Sequence, residues 1–102
     1  MEKFTADIVV ALRTYKKSCG IESMRQGYKG TGCRAHRRQL FITFESKRTI
    51  DIWFEDRAVS FSGVCQQVKT QVSYLSDGGE RKTPELIASE VGNILSVYKQ
   101  HL

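Results

Sequence analysis

Between Gln39 and Phe61, apolar side chains recur at every second position in three runs separated by short polar breaks. In QLFITFES they are Leu40, Ile42 and Phe44. In IDIWFE they are Ile50, Ile52 and Phe54, and in AVSF they are Val59 and Phe61. A period of two puts each set on one face of a strand. The breaks at KRT and DR are short enough for hairpin turns and too short for crossovers, so the segment predicts an antiparallel meander with a single greasy face. Such a face needs a cover from elsewhere in the chain.

Candidate covers flank the meander. Across residues 3–18, Phe4, Ile8, Ala11, Leu12 and Tyr15 recur at helical spacing, Cys19 would extend the face, and Gly20 is a natural C-terminal stop. Near the other end, Thr83 reads as an N-cap, Pro84 as the first helical residue and Glu85 as a first-turn acid. The face that follows is Ile87, Val91, Ile94, Leu95 and Tyr98, reaching Leu102. VCQQVKTQVSYL, residues 64–75, fits either period; its β-branched content favours a fourth strand, and SDGG then makes a turn. The expected fold class is α+β: an antiparallel three- or four-stranded sheet with an N-terminal and a C-terminal helix on one face. The 102 residues are expected to form a single domain. Folding a chain this size removes roughly 65% of its extended surface from water, enough for one modest core.

Charge is distributed unevenly. The net +5 conceals ten cations and only two acids between Arg13 and Arg48, a local +8; six cations face nine acids elsewhere, a net −3. The basic stretch is densest in RQGYKGTGCRAHRR, Arg25 to Arg38, which holds three glycines and no acid. It reads as part of a long basic Gly-rich loop at about 20–38, beyond the roughly 12 to 15 residues at which structureless loops become uncommon. Glycines let backbone amides approach phosphates, arginines offer planar forks to their oxygens, and Tyr28 could stack on a base. Arg25, Lys29, Arg34, Arg37 and Arg38 are therefore candidate phosphate contacts. Lys47 and Arg48 form a second basic turn, and Arg13, Lys16 and Lys17 crowd the end of the first helix, where cations also complement its dipole.

With the meander's apolar sets turned inward, Phe41 and Trp53 point outward, among Glu45, Asp51 and Glu55. Those acids repel phosphate, so an acidic aromatic face predicts a protein contact, a homodimer mate or cover by another part of the chain.

Catalytic signals are weak. Cys19 and Arg25 have Cys-x5-Arg spacing, but the strand and helix that would aim amides at a phosphate are not expected around them. Cys33 and His36 make half a zinc spacing, with Cys19 or Cys65 as completions, yet paired Cys-x-x-Cys knuckles are missing. GYKGTG lacks the Lys-Ser/Thr ending of a nucleotide loop. No enzyme activity, cofactor or metal is expected. MEKFTADIVVALRTYKK suits neither a signal peptide nor a membrane span, and three cysteines fit reduced thiols in the cytoplasm. The first expectation is a small nucleic-acid-binding protein, for RNA or DNA, contacting phosphates through the loop and the Lys47–Arg48 turn. The second is a protein-binding regulator or inhibitor, of phage or host origin, using the Phe41/Trp53 face or meeting an acidic protein through its basic loop.

Overall fold

The computed structural model describes residues 3–28, 38–62 and 71–100. Helix α1 (Lys3–Arg13) leads into an antiparallel sheet of β1 (Ile21–Tyr28), β2 (Arg38–Phe44), β3 (Thr49–Phe54), β4 (Ala58–Ser62) and β5 (Gln71–Ser73), and helix α2 (Pro84–Gln100) closes the chain. The strands lie in sequence order, β1-β2-β3-β4-β5. The α+β class and the two flanking helices are as the sequence predicts; the sheet has five strands.

The alternation read in the meander holds residue by residue. Leu40, Ile42 and Phe44, Ile50, Ile52 and Phe54, and Val59 and Phe61 are all buried. They join Ile8, Val9 and Leu12 of α1 and Ile87, Val91 and Leu95 of α2 in one apolar cluster, so both helices cover the same sheet face. Phe44 and Tyr98 stack with ring centroids 5.9 Å apart, tying the end of β2 to the last turn of α2. Thr83 caps α2 as expected, its Oγ1 accepting from the Leu86 N–H at 3.1 Å. Within the ambiguous 64–75 segment, Gln71–Ser73 is strand, with Val72 and Tyr74 buried; residues 63–70 lie outside the described set.

Two boundaries depart from expectation. The first helix was expected over 3–18, but regular α-helix ends at Arg13, because the N–H groups of Thr14, Tyr15 and Lys16 bond three residues back instead of four. A further tight turn then closes at Gly20. There the Gly20 N–H donates to the Lys17 carbonyl (3.1 Å) and the Ile21 N–H to the Lys16 carbonyl (2.9 Å), with Gly20 at φ +66°. Those two bonds form a Schellman motif, so the glycine stop is where the sequence places it.

The second departure corrects the loop expected at about 20–38. Its first part, Ile21–Tyr28, is the edge strand β1, paired along its length with β2. Ile21 faces Phe44 and Ser23 faces Thr43, which leaves Glu22 as an extra residue in a β-bulge. The bulge resets the alternation. Ile21 and Met24, three apart in sequence, both point into the core, and both are buried.

Candidate nucleic-acid interface

Gly20 is the junction around which one end of the molecule is built. Its carbonyl accepts the Glu45 N–H at 2.9 Å, fastening the β2–β3 turn to the α1–β1 connection. In that turn the Arg48 carbonyl accepts from the Phe44 N–H at 2.8 Å, and Lys47 adopts φ 72°. The end of α2 reaches the same place. A Cβ placed on Gly20 would lie 2.8 Å from both Cε and Nζ of Lys99.

Three elements distant in sequence thus present their cations at one pole: Arg13, Lys16 and Lys17 from the end of α1 and its turn, Lys47 and Arg48 from the hairpin, and Lys99 from α2. Arg13, Lys17, Lys47, Arg48 and Lys99 are exposed and Lys16 is half-buried. Among the described residues, two carboxylates share the pole. Glu22 is held by Lys47 at 2.6 Å, and Glu45 sits in the turn itself. Among the described residues, Arg13, Lys16, Lys17, Arg48 and Lys99 take part in none of the ion pairs, which are Lys3–Asp7, Lys47–Glu22 and Lys82–Glu90. Part of this charge offsets the negative carbonyl ends of two helices, since Arg13 and Lys99 are the basic residues of their last turns.

The sheet register puts Arg38 at the other end of the sheet. Tyr28 pairs with Arg38 at one end of the β1–β2 ladder and Ile21 with Phe44 at the other. Six residue steps along β2, about 20 Å, therefore separate the end that leads into the Lys47–Arg48 turn from Tyr28 and Arg38, the two residues that bracket Lys29, Arg34 and Arg37. Those three, with Cys33, His36 and Cys65, lie outside the described residues. Arg25 projects from the outer sheet face, its guanidinium 5.8 Å from the Phe41 ring centroid.

On that outer face, Phe41 pairs with Asp51 and Trp53 with Gln39, which makes the two aromatics diagonal neighbours. Both are half-buried, and Gln39 beside them is only 4% exposed. Ser60, opposite Trp53, donates its Oγ–H to Glu55 Oε1 at 2.6 Å, so one of the expected acids stands next to the indole strand. Glu45, expected on this face, instead follows the end of β2 at the basic pole.

Cys19 is buried beneath the pole. Its thiol donates to the Gly92 carbonyl at 3.4 Å, and burial pushes its pKa up, outweighing the lowering influence of Ser18, Ser96 and Lys99. Among the described residues, no group of three or more His, Cys, Asp or Glu is placed to hold a metal ion, and no helix is long and apolar enough to cross a membrane.

Lys99 is the residue that sequence reading missed. It stands more than fifty positions from the basic stretch, and only the packing of α2 brings it to Gly20. Comparison of the chain with family models, with curated proteins and with solved structures gives no match.

Proposed function

We propose that the chain is a small nucleic-acid-binding protein that holds its ligand through backbone phosphates. The observation that carries this reading is that three separate elements, the end of α1 and its turn with Arg13, Lys16 and Lys17, the hairpin turn with Arg48 and the end of α2 with Lys99, meet at Gly20. Cations concentrated on one end of a small domain neutralise phosphates and release counterions, which gives affinity and orientation without base specificity. Arg25, Tyr28, Lys29, Arg34, Arg37 and Arg38 belong to this reading as a second group of candidate contacts, supported by their composition. The test is titration of the protein with labelled oligonucleotides at several salt concentrations. Log affinity should fall linearly with log salt, and absence of binding near 50 mM salt would remove the reading.

A second reading concerns the outer sheet face. Phe41 and Trp53 are diagonal neighbours that remain partly exposed next to Asp51 and Glu55, a surface suited to a protein partner, with a homodimer the simplest case. An acidic protein meeting the basic residues is the variant of this reading that would compete with nucleic acid for the same charges.

A further inference from the structure

We infer that the basic pole is a binding site for the phosphate rows of double-stranded nucleic acid, with Lys99 as one of its contacts. This deepens the proposed function and rests on it.

The first ground is what the pole lacks. Surfaces that hold single strands combine cations with aromatic rings on which unstacked bases lie. Among the described residues, the aromatic rings of this pole are already committed. Phe44 and Tyr98 stack on each other and are 1% and 6% exposed. Tyr15 is half-buried, and its ring lies so close to α2 that a Cβ on Gly92 would sit 3.2 Å from its Cγ. Phe44 and Tyr98 offer no free face to a base, and Tyr15 is packed against α2 along its Gly92 side. A ligand that binds here brings its bases stacked on one another and its phosphates outward, as a duplex does.

Charge density supplies the second ground. A duplex presents one phosphate per about 1.7 Å of axis, twice the density of one of its strands. Cations spread over the α1–β1 turn, the β2–β3 turn and the end of α2 meet many phosphates on such a rod. The hydrogen bonds at Gly20 and Glu45 fix two of these elements against each other, and the Phe44–Tyr98 stack fixes the third. The cations are thus held on a rigid frame instead of being gathered by the ligand, which reduces the entropy lost on binding.

The Glu22 carboxylate is satisfied by Lys47, so that pair contributes little net charge, and among the described residues of the pole Glu45 is the acid left to oppose the ligand. The contacts are Arg13, Lys16, Lys17, Arg48 and Lys99. None of them is placed by the structure to read a base edge, so binding is indifferent to sequence, and duplex DNA and duplex RNA share the phosphate chemistry that is recognised.

The test uses the full chain with fluorescein-labelled 20-mers: two unrelated duplexes of DNA, two of RNA, and the single strands of each, from about 50 to 200 mM salt. Lys99→Gln and Arg48→Gln are compared with wild type after circular dichroism confirms that each is folded. The expected result is tighter binding to duplex than to either strand, no preference between sequences, and a salt slope about 0.9 shallower for each substitution on duplex. Affinity for a single strand equal to or above that for the duplex overturns the inference. So does nucleic-acid binding whose slope ignores both substitutions, and in either case the broader function survives. Failure to bind any of the oligonucleotides removes both.

Discussion

The guanidinium of Arg25 lies over the ring of Phe41, 5.8 Å from its centroid, across directly paired positions of β1 and β2. Sequence reading gives these residues to different surfaces, one to phosphate and the other to a protein partner; the sheet makes them neighbours. An exposed cation–π contact contributes about 0.5 to 1 kcal/mol. A double-mutant cycle with Arg25→Gln and Phe41→Leu, followed by urea denaturation, should return a coupling of about that size. Zero coupling would mean that the contact does nothing for the edge strand.

Gly20→Ala should destabilise the protein by about 1 to 2 kcal/mol, because φ +66° is a left-handed conformation that a Cβ penalises. The new methyl would also press on the end of the Lys99 side chain, which is flexible and can move. The loss should therefore be the same in a Lys99→Ala background. Recovery of stability there would trace the cost to the contact and not to the backbone.

Burial at Cys19 raises its pKa above the ordinary 9.0, so the thiol stays protonated where an unfolded chain has begun to ionise. The sign of the linkage follows. Its contribution to stability is intact below pH 9.0 and drains away as pH rises from there through the folded-state value, since the unfolded chain gives up the proton more readily. Melting temperatures of wild type should fall more steeply above that pH than those of Cys19→Ala. In native protein at pH 8 or so, Cys19 should also react slowly with a disulfide reagent and quickly once urea is added.

For the outer face, sedimentation velocity distinguishes a mate from internal cover. If the Phe41/Trp53 surface joins two copies, Trp53→Ala shifts the protein to a smaller species while leaving its circular dichroism unchanged. A wild type that already sediments as a monomer, with blue-shifted tryptophan emission, means that the indole is covered within its own chain.

The parts of the fold legible in sequence are those where one physical rule acts alone. Leu40 to Phe44 and Ile50 to Phe54 alternate strictly, Thr83-Pro84-Glu85 starts a helix by capping chemistry, and Gly20 ends one by accepting a positive φ. β1 was not legible, because two rules interfere in it. Its buried apolar side chains among the described ones, Ile21 and Met24, are three apart, a spacing that suggests a helix or nothing; the bulge at Glu22 lets both face the core within a strand. Apart from Tyr28 at its end, the remaining positions are charged, polar or glycine, as an edge strand paired on one side permits. The candidate site was legible in part for the same kind of reason. Charge counts along the chain find Arg13, Lys16, Lys17, Lys47 and Arg48, but proximity is a property of the register. The register moves the Lys47–Arg48 turn away from Arg38 and brings it to Lys99.

The extra residue in β1 also sets how this chain tolerates changes in length. Removing Glu22 would set Ile21 and Ser23 side by side, opposite Phe44 and Thr43, and the side chains from Ser23 to Gln26 would keep their present faces. A single deletion inside β2 or β3 has no such slack, because it inverts in-facing and out-facing residues for the rest of the strand. One position of the sheet can therefore lose a codon without scrambling the core, and it is the position whose carboxylate holds Lys47. Loss of that codon would free a sixth cation at the basic pole while leaving the hydrophobic pattern of the protein untouched.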